Sequence, residues 1–312
     1  MEVHMLVSIA LTTYNGARFL RHQLDSVYSQ SFTPLEVVAV DDGSTDGTAA
    51  ILEEYSSSHG LRFLRNEQQL GFVKNFEKAI SLCTGTFIAL CDQDDIWLPG
   101  KIERFVSAIG DHSMVCSDVS LIDEHGKVGI KSLQRRLHIP VPRPENQFYA
   151  LSVFDYVRGC SCMFRRDLVP FACPIPDAAM SHDWWFAIWA TRTAGIVYLP
   201  EQLTLYRQQS SNTLGVKEFW KAGTLARYLV SQDRREIFRR ESDRVRLYLD
   251  AHLWRSEEEK VFLEELHEHY TLLARPGLHA KAFHLLYKNR KRVFDSVPAL
   301  PMYGYLFARA FS

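Results

Sequence analysis

The segment Leu35–Tyr55, LEVVAVDDGSTDGTAAILEEY, decides the fold because it joins an apolar run, an acidic turn and the start of a helix. The β-branched run Leu35–Val40 has the composition of a strand buried in a parallel sheet. Three residues that commonly cap helices follow it, Ser44, Thr45 and Asp46. In open α/β sheets ligands bind beyond the carboxyl ends of the strands, so this turn is a predicted ligand site.

The same segment also satisfies most of the spacing of an EF-hand calcium loop, from Asp42 through Ser44 and Asp46 to Glu53. An EF-hand loop, however, begins from a helix, whereas this turn follows an apolar strand. The order strand, acidic turn, helix therefore favours a site at the edge of a sheet over a calcium loop.

Strand-like and helix-like segments alternate along the first two thirds of the chain. Strands are predicted at 6–12, 35–40, 61–64, 87–91, 114–122 and 196–206, with helical stripes after the first, second and third strands and again over 181–194. Repeated βαβ units predict an α/β fold with a Rossmann-like, mostly parallel, doubly wound sheet and helices on both faces. Residues 131–144, rich in Arg and Pro, are predicted to form an exposed loop.

The character of the sequence changes near residue 216, where long charged stretches replace strand signals. We therefore predict an α/β domain over residues 1–215 and a mainly helical extension over residues 216–312.

The bulk composition is that of an ordinary globular protein. Its 312 residues are 46% hydrophobic and 23% charged, and a formal net charge of −1 gives no overall reason to bind nucleic acid. The six cysteines form no CxxC pair, which is typical of buried reduced thiols. The start lacks a signal-peptide pattern, and no apolar stretch approaches 18 residues. We expect a cytoplasmic protein, at most peripheral on the inner face of the membrane.

Two polar clusters follow predicted strands and suggest a nucleotide site. In the first, Thr12, Tyr14 and Asn15 end the first strand, where a tyrosine can stack on a base. Asp41 and Asp42 end the next strand at the same edge, and a carboxylate can accept the imide N–H of uracil or thymine. The Asn-Gly pair is also a common turn signal, so a purely structural turn remains an alternative.

The second cluster is the acid turn, which we define as Asp92–Asp95 within LCDQDDIWLP. Three carboxylates in four positions repel one another, so a compensating cation is expected. Mg²⁺ commonly binds through one or two carboxylates together with substrate phosphate oxygens. A solvated turn is the alternative interpretation.

With these motifs in place, the chain resembles family 2 glycosyltransferases of the GT-A fold over roughly residues 5–215. The family's four motifs occur in order as Thr12–Asn15, Asp41–Thr48, Asp92–Pro99 and His182-Asp183-Trp184. The forms CDQDDIWLPGKI and YRQQSSNTLG are most similar to rhamnosyltransferase-like members that build bacterial surface polysaccharides.

The resemblance implies a role for each motif residue. Tyr14 and Asp41 would hold the pyrimidine, Asp92 the ribose, Asp94 the metal that bridges the two phosphates, and Asn66 and Lys74 would help to frame the base, with Asp183 as general base. Without the resemblance, Asp183 is equally well explained as a helix-capping residue. Mg²⁺ or Mn²⁺ is the implied cofactor.

One departure from the family lies near the end of the predicted catalytic domain. The family often has histidine in Y-R-x-H-x-x-N, whereas this chain has Gln209, a poor ligand for a transition metal. Arg207 is predicted to contact the diphosphate, with a surface ion pair as the alternative.

The tail interleaves the basic run Lys288–Arg292 with aromatic and aliphatic residues. Such a pattern suits an anionic membrane surface or an RNA, and a lipid-linked acceptor would favour the membrane. A solvated helix with one packed apolar face is the alternative.

The sequence thus predicts an inverting, metal-dependent glycosyltransferase. It would move a sugar from a UDP- or dTDP-linked donor, with dTDP-rhamnose as one candidate, to a hydroxyl of a growing, lipid-linked bacterial surface glycan. A catalytically silent GT-A scaffold that binds nucleotide or glycan is one alternative. A nucleotidyltransferase is another, although Asn15-Gly16-Ala17-Arg18 is too short for a basic glycine-rich phosphate loop.

Overall fold

The computed structural model of the chain describes residues 5–137, 139, 141–208, 233–275 and 280–293. These residues form two units. The first comprises the described residues of 5–137, 157–176 and 181–208, and the second comprises those of 138–156, 177–180 and 233–293. The predicted division between residues 215 and 216 stays a prediction, since 209–232 lie outside the described residues.

A single mixed sheet of nine strands organises the first unit. The strands are β1 Val7–Thr13, β2 Leu35–Asp41, β3 Arg62–Arg65, β4 Phe87–Cys91, β5 Ile96–Trp97, β6 Met114–Ile122, β7 Val128–Ile130, β8 Cys162–Arg165 and β9 Ile196–Arg207. Their order across the sheet is β3-β2-β1-β4-β8-β6-β9-β5, with β7 paired to β6.

The helices of this unit connect the strands. They are α1 Ala17–Tyr28, α2 Thr48–His59, α3 Phe72–Leu82, α4 Lys101–Ile109, α5 Leu133–Leu137, α7 Val169–Ala172 and α8 His182–Arg192. The α/β fold predicted from the alternating pattern is confirmed, and α5 lies within the segment that the sequence predicted as loop.

Strand direction decides what meets at the carboxyl edge of the sheet. β1, β2, β3 and β4 are mutually parallel, whereas β8 is antiparallel to both β4 and β6 and β5 is antiparallel to β9. An antiparallel strand begins at the edge of the sheet where its neighbour ends. The residues that precede β8 and β5 therefore lie at the same edge as the end of β4. The sequence predicted neither of these two short strands.

Side chains alternate between the two faces of the sheet along each strand, and helices pack on both faces. Val7, Ile9 and Leu11 of β1 join one apolar cluster with residues of α1, α2 and α4. α3 packs against β1 and β2 through buried residues outside that cluster, including Phe76 and Ile80, which places it on the opposite face.

The second unit is helical in its described part. Its helices are α6 Gln147–Leu151, α9 Asp233–Asp250, α10 Glu257–Leu273, α11 Ala280–Lys288 and α12 Arg290–Val293. The side chain of Arg244, only 2% exposed, is held by Glu241 Oε2 (2.6 Å), Tyr248 Oη (3.0 Å) and the Ser152 carbonyl (3.0 Å).

Several basic residues of α11 and α12 form ion pairs with acidic residues of α10. Lys281 pairs with Glu268, Lys288 with Glu265, and Arg292 with Glu258. Those charges are therefore partly neutralised within the unit, and membrane contact through this tail stays a prediction. Among the described residues, no helix combines the length and apolar character needed to cross a bilayer.

Candidate active site

The loop after β1 and the turn after β2 form one hydrogen-bonded structure. The bonds run from Asn15 N–H to Ser44 Oγ (2.8 Å), from Thr45 N–H to Asn15 Oδ1 (2.8 Å), from Gly16 N–H to Thr48 Oγ1 (2.9 Å) and from Ala17 N–H to Asp46 Oδ2 (3.1 Å). The side chains of Ser44, Asp46 and Thr48 thus accept hydrogen bonds from backbone donors of the loop at the start of α1. Asn15 adopts a left-handed conformation (φ 49°), which asparagine tolerates better than most residues.

Asp41 lies beneath this loop with no exposed surface. Its carboxylate accepts hydrogen bonds from Thr13 Oγ1 (2.8 Å) and Ser44 N–H (3.0 Å), and Arg65 Nε lies 3.5 Å away. These contacts make Asp41 a link between β1 and the β2–α2 turn. Direct contact of Asp41 with a pyrimidine stays a prediction.

Asp42 is enclosed by the segment before α3 and is 3% exposed. It accepts hydrogen bonds from Leu70 N–H (2.8 Å), Gly71 N–H (2.9 Å) and Asn66 Nδ2 (2.8 Å). Lys74 points elsewhere, since its Nζ donates to Glu77 Oε2 (2.9 Å) and to the Ile175 carbonyl. Asp42 and Asn66 thus meet near the carboxyl edge, whereas Lys74 contacts another loop.

Tyr14 is 44% exposed, whereas Thr12, another predicted nucleotide residue, is 8% exposed. The Tyr14 backbone is fixed by Gln93 of the acid turn, which accepts from Tyr14 N–H (2.8 Å) and donates to its carbonyl (3.0 Å). An exposed ring on a fixed backbone is suited to stacking on a base.

The three carboxylates of the acid turn are unequal. Asp92 and Asp94 are partly exposed, whereas Asp95 is fully buried. Burial, together with the nearby charges of Asp94 and Asp183, raises the pKa of Asp92 to about 7. Burial likewise raises the pKa of Asp95 well above its ordinary value. The turn therefore concentrates negative charge that the protein only partly compensates.

Lys101, at the start of α4, supplies a buried cation beneath the acid turn. Its Nζ donates to the Cys160 carbonyl (2.6 Å) and lies 3.6 Å from the centroid of the Trp97 ring. Burial lowers the pKa of Lys101 to about 8, while the nearby charge of Asp95 opposes that shift. Nothing in the sequence predicted this lysine, because its position depends on the pairing of β5 with β9 and of β8 with β4.

A cation would meet a suitable donor set here. Oxygens of Asp92 and Asp95 and the sulfur of Cys160 lie within 4.8 Å of one another. One oxygen of Asp95, Oδ2, is buried without a hydrogen-bond partner among the described residues. Burial raises the pKa of the Cys160 thiol well above its ordinary value, so the hard carboxylate oxygens are the better ligands. The predicted ligand Asp94 is not in this cluster, and its role stays a prediction.

Asp183 is in the first turn of α8 and is partly exposed. Its Oδ2 accepts a hydrogen bond from Gly159 N–H (2.7 Å), and Oδ1 accepts from Trp184 N–H (2.9 Å). A Cβ atom at Gly159 would lie 3.2 Å from Asp183 Oδ2, so glycine permits this close approach. Since Gly159 precedes Cys160, the return of the chain into β8 brings Asp183 to the acid turn.

His182 lies beside Asp183 but is almost completely buried, with 5% of its surface exposed. Its ring stacks on Phe76 at a centroid distance of 3.7 Å, and neither ring nitrogen has a hydrogen-bond partner among the described residues. Burial lowers the pKa of His182 to about 4, although the charge of Asp183 opposes this shift. The side chain is therefore neutral near pH 7.

Arg207 ends β9 and binds backbone carbonyl groups. Its Nε donates to the Asp94 carbonyl (2.7 Å), and its Nη1 donates to those of Asp123 (2.9 Å) and Glu124 (3.2 Å). Its own N–H donates to Asp95 Oδ1 (2.9 Å), and the residue is 2% exposed. These contacts give Arg207 a structural role in holding the acid turn, and a diphosphate contact stays a prediction. Gln209 lies outside the described residues.

Solved structures similar to this chain include two that hold a nucleotide sugar. Residues 1–349 of S. aureus TarS, in complex with UDP-GlcNAc, superimpose with a TM-score of 0.60 at 18% identity, covering 98% of this chain and 88% of that one. A mannosyltransferase from Pyrobaculum calidifontis, in complex with GDP-Man and Mn²⁺, gives a TM-score of 0.53 at 17% identity, covering 98% and 84%. The fold is thus that of the GT-A class.

The sequence comparisons then give the family. A model of glycosyl transferase family 2 matches residues 8–170, more than half of the chain, so the protein belongs to that family. An uncharacterized protein of Mycobacterium tuberculosis is 29% identical over 215 residues, covering 65% of this chain and 59% of its own length. The putative glycosyltransferase EpsE of Bacillus subtilis is 30% identical over 132 residues, covering 41% and 48%. The chain thus spans about half to three fifths of these relatives.

Proposed function

We propose that the protein is an inverting glycosyltransferase that moves a sugar from a UDP- or dTDP-linked donor to a hydroxyl group of a bacterial surface glycan. The observation that carries this proposal is the convergence of Asp183 with the acid turn at the carboxyl edge of the sheet. Gly159 N–H donates to Asp183 Oδ2 (2.7 Å), and the sulfur of the next residue, Cys160, lies within 4.8 Å of carboxylate oxygens of Asp92 and Asp95. Family membership supports the same chemistry.

Asp183 is the candidate general base. One of its oxygens is fixed by Gly159 N–H, which orients the carboxylate without neutralising it. A base held in this way can take the proton of an acceptor hydroxyl as its oxygen attacks the anomeric carbon. Attack from the face opposite the leaving group inverts the anomeric configuration.

The acid turn is the candidate diphosphate site. Asp92 and Asp95, with Asp94 as the ligand implied by the family motif, would hold Mg²⁺ or Mn²⁺. When bound, the cation would supply positive charge to the departing diphosphate. Tyr14 would stack on the base, and Asp92 would meet the ribose. In this assignment the positive charge of Lys101 would offset part of the repulsion among the carboxylates when no cation is bound.

The donor assignment rests on the loop around Tyr14 and needs a direct test. The two similar structures contain uridine and guanosine nucleotides, so fold similarity does not select the base. We expect UDP or dTDP to raise the unfolding free energy by about 2.7 kcal/mol at a hundredfold excess over the dissociation constant. Equal stabilisation by GDP would contradict the pyrimidine assignment.

A lipid-linked acceptor and peripheral membrane contact are part of the proposal.

Replacing Asp183 with Asn tests the proposed function. Asn keeps an oxygen that can accept from Gly159 N–H but cannot serve as a base, so transfer should fall by roughly 10²–10⁴-fold. UDP affinity, measured by calorimetry on the same preparation, should be nearly unchanged. Glu103→Gln is the matched control, since Glu103 is also a carboxylate in the first turn of a helix, where it accepts a hydrogen bond from Ser31 Oγ (2.7 Å).

The outcomes separate the alternatives. Near-wild-type transfer by Asp183→Asn would remove Asp183 from the mechanism and leave it as a helix-capping residue. Wild-type protein that binds UDP but transfers no sugar from a panel of nucleotide sugars would favour the silent scaffold. Retention of the anomeric configuration in the product would refute the inverting mechanism.

A further inference from the structure

Gln93 occupies the position between Asp92 and Asp94 in the acid turn, yet its side chain turns away from them. Its Oε1 accepts a hydrogen bond from Tyr14 N–H (2.8 Å), and its Nε2 donates to the Tyr14 carbonyl (3.0 Å). One amide thus satisfies the donor and the acceptor of one residue, as a neighbouring strand would do. A side chain must carry both a donor and an acceptor to make this pair.

Gly16 makes room for that amide. A Cβ atom at Gly16 would lie 2.1 Å from Gln93 Oε1 and 2.4 Å from Gln93 Cδ, and its three nearest atoms all belong to Gln93. The backbone of Gly16, with φ −103° and ψ 6°, does not itself require glycine. The absence of a side chain at residue 16 is therefore explained by the close approach of Gln93.

We propose that Gln93 and Gly16 form a latch in which Gln93 is a positioning residue. The latch fixes the Tyr14 loop, the candidate base subsite, to the acid turn, the candidate diphosphate subsite. This inference rests on the proposed function, because the two subsites are those of a nucleoside diphosphate. Gln93 itself is not assigned any contact with the donor.

The physical effect of the latch is preorganisation. A nucleoside diphosphate gains its full affinity only when the base and diphosphate subsites are held at the right separation, and ordering a loose loop on binding lowers affinity. Loss of two hydrogen bonds that order the loop should weaken UDP binding by roughly tenfold. Because the same geometry is needed at the transition state, KM should rise while kcat changes much less.

The test is a double-mutant cycle with Gly16→Ala and Gln93→Ala. In the wild-type background, Gly16→Ala must displace the Gln93 amide, so both single variants should lower the melting temperature and weaken UDP binding in Mg²⁺. In the Gln93→Ala background the clashing atoms are gone, so Gly16→Ala should add little to either effect. Gln93→Met keeps the length of the side chain but removes the hydrogen bonds and should match Gln93→Ala in UDP affinity.

Gly100→Ala is the matched control. Gly100 also precedes a helix, with φ −91° and ψ 8°, but a Cβ atom there would meet nothing within 4 Å. It should leave melting temperature and UDP affinity near wild-type values, which separates the latch from the general effect of removing a glycine at a helix start.

The outcomes are distinct. Additive effects of Gly16→Ala and Gln93→Ala on the melting temperature would overturn the latch. Coupled effects on the melting temperature with unchanged UDP affinity would overturn its positioning role. Wild-type protein that binds none of UDP, dTDP and GDP would overturn the proposed function and with it the positioning role, while the ligand-free cycle would still decide whether the latch exists.

Discussion

Replacement of His182 with Phe should make folding stability less dependent on pH. His182 is buried against Phe76, and its two ring nitrogens have no hydrogen-bond partner among the described residues. Phe has nearly the same ring shape, so the stacked contact should survive. What changes is that residue 182 can no longer take up a proton in the unfolded chain.

The size of the effect follows from the pKa of His182. Burial lowers this pKa from 6.5 to about 4 in the folded protein. Between those values the unfolded chain binds more protons than the folded chain, so the contribution of His182 makes stability rise with pH. Through His182, the free energy of unfolding falls by about 2 kcal/mol as the pH is lowered from about 7.5 to about 5. The loss reaches about 3 kcal/mol once the pH is below 4.

Urea unfolding, followed by tryptophan fluorescence at several pH values, measures this effect. The carboxylates of the acid turn also titrate, so the informative quantity is the difference in unfolding free energy between wild type and His182→Phe at each pH. That difference should shift in favour of the variant by about 2 kcal/mol as the pH falls to 5. His22→Phe, at an exposed position of α1, is the control. A pH-independent difference for His182→Phe would refute the reasoning.

Two further substitutions test the acid turn and its support. Asp94→Ala should abolish the tightening of UDP binding by Mg²⁺ or Mn²⁺. Because Asp94 is partly exposed, the same substitution should change the unfolding free energy by less than about 1 kcal/mol. Full turnover of the wild-type protein in excess EDTA would contradict the metal role. Arg207→Lys should destabilise the protein by roughly 2–4 kcal/mol, because an ammonium group cannot reproduce the fork that bonds to three carbonyl groups. Arg104→Lys, at an exposed ion pair with Glu201, should cost less than about 1 kcal/mol, and an equal cost at the two sites would contradict the structural role of Arg207.

The parallel part of the sheet was predictable because its signals are local. Apolar runs such as Leu35–Val40 mark buried strands wherever they occur, and the predicted strands Phe87–Cys91 and Met114–Ile122 match the observed bounds. The position of a turn after such a strand then places it at the carboxyl edge. Both the turn after β2 and the acid turn were located in this way.

The contents of the site were less predictable because they depend on distant pairings. Cys160 and Gly159 reach the acid turn only because β8 runs antiparallel to β4, and Lys101 is buried there because Trp97 and the segment before β8 cover it. None of these residues lies in a motif with a fixed spacing. The one available signal was the glycine in Arg158-Gly159-Cys160, and a glycine alone does not indicate which residue it will contact.

The charges around the acid turn support the proposed divalent cation. Asp92, Asp94, Asp95 and Asp183 carry four formal negative charges, whereas Lys101 and Arg207 supply two positive ones, which leaves an excess of two. Burial is the main cause of the raised pKa values of Asp92 and Asp95, and repulsion among the carboxylates adds to it, so protons can relieve part of the excess charge. A single divalent cation would cancel the same excess. The buried lysine offsets part of this charge, and the divalent cation of the proposed function would offset the rest.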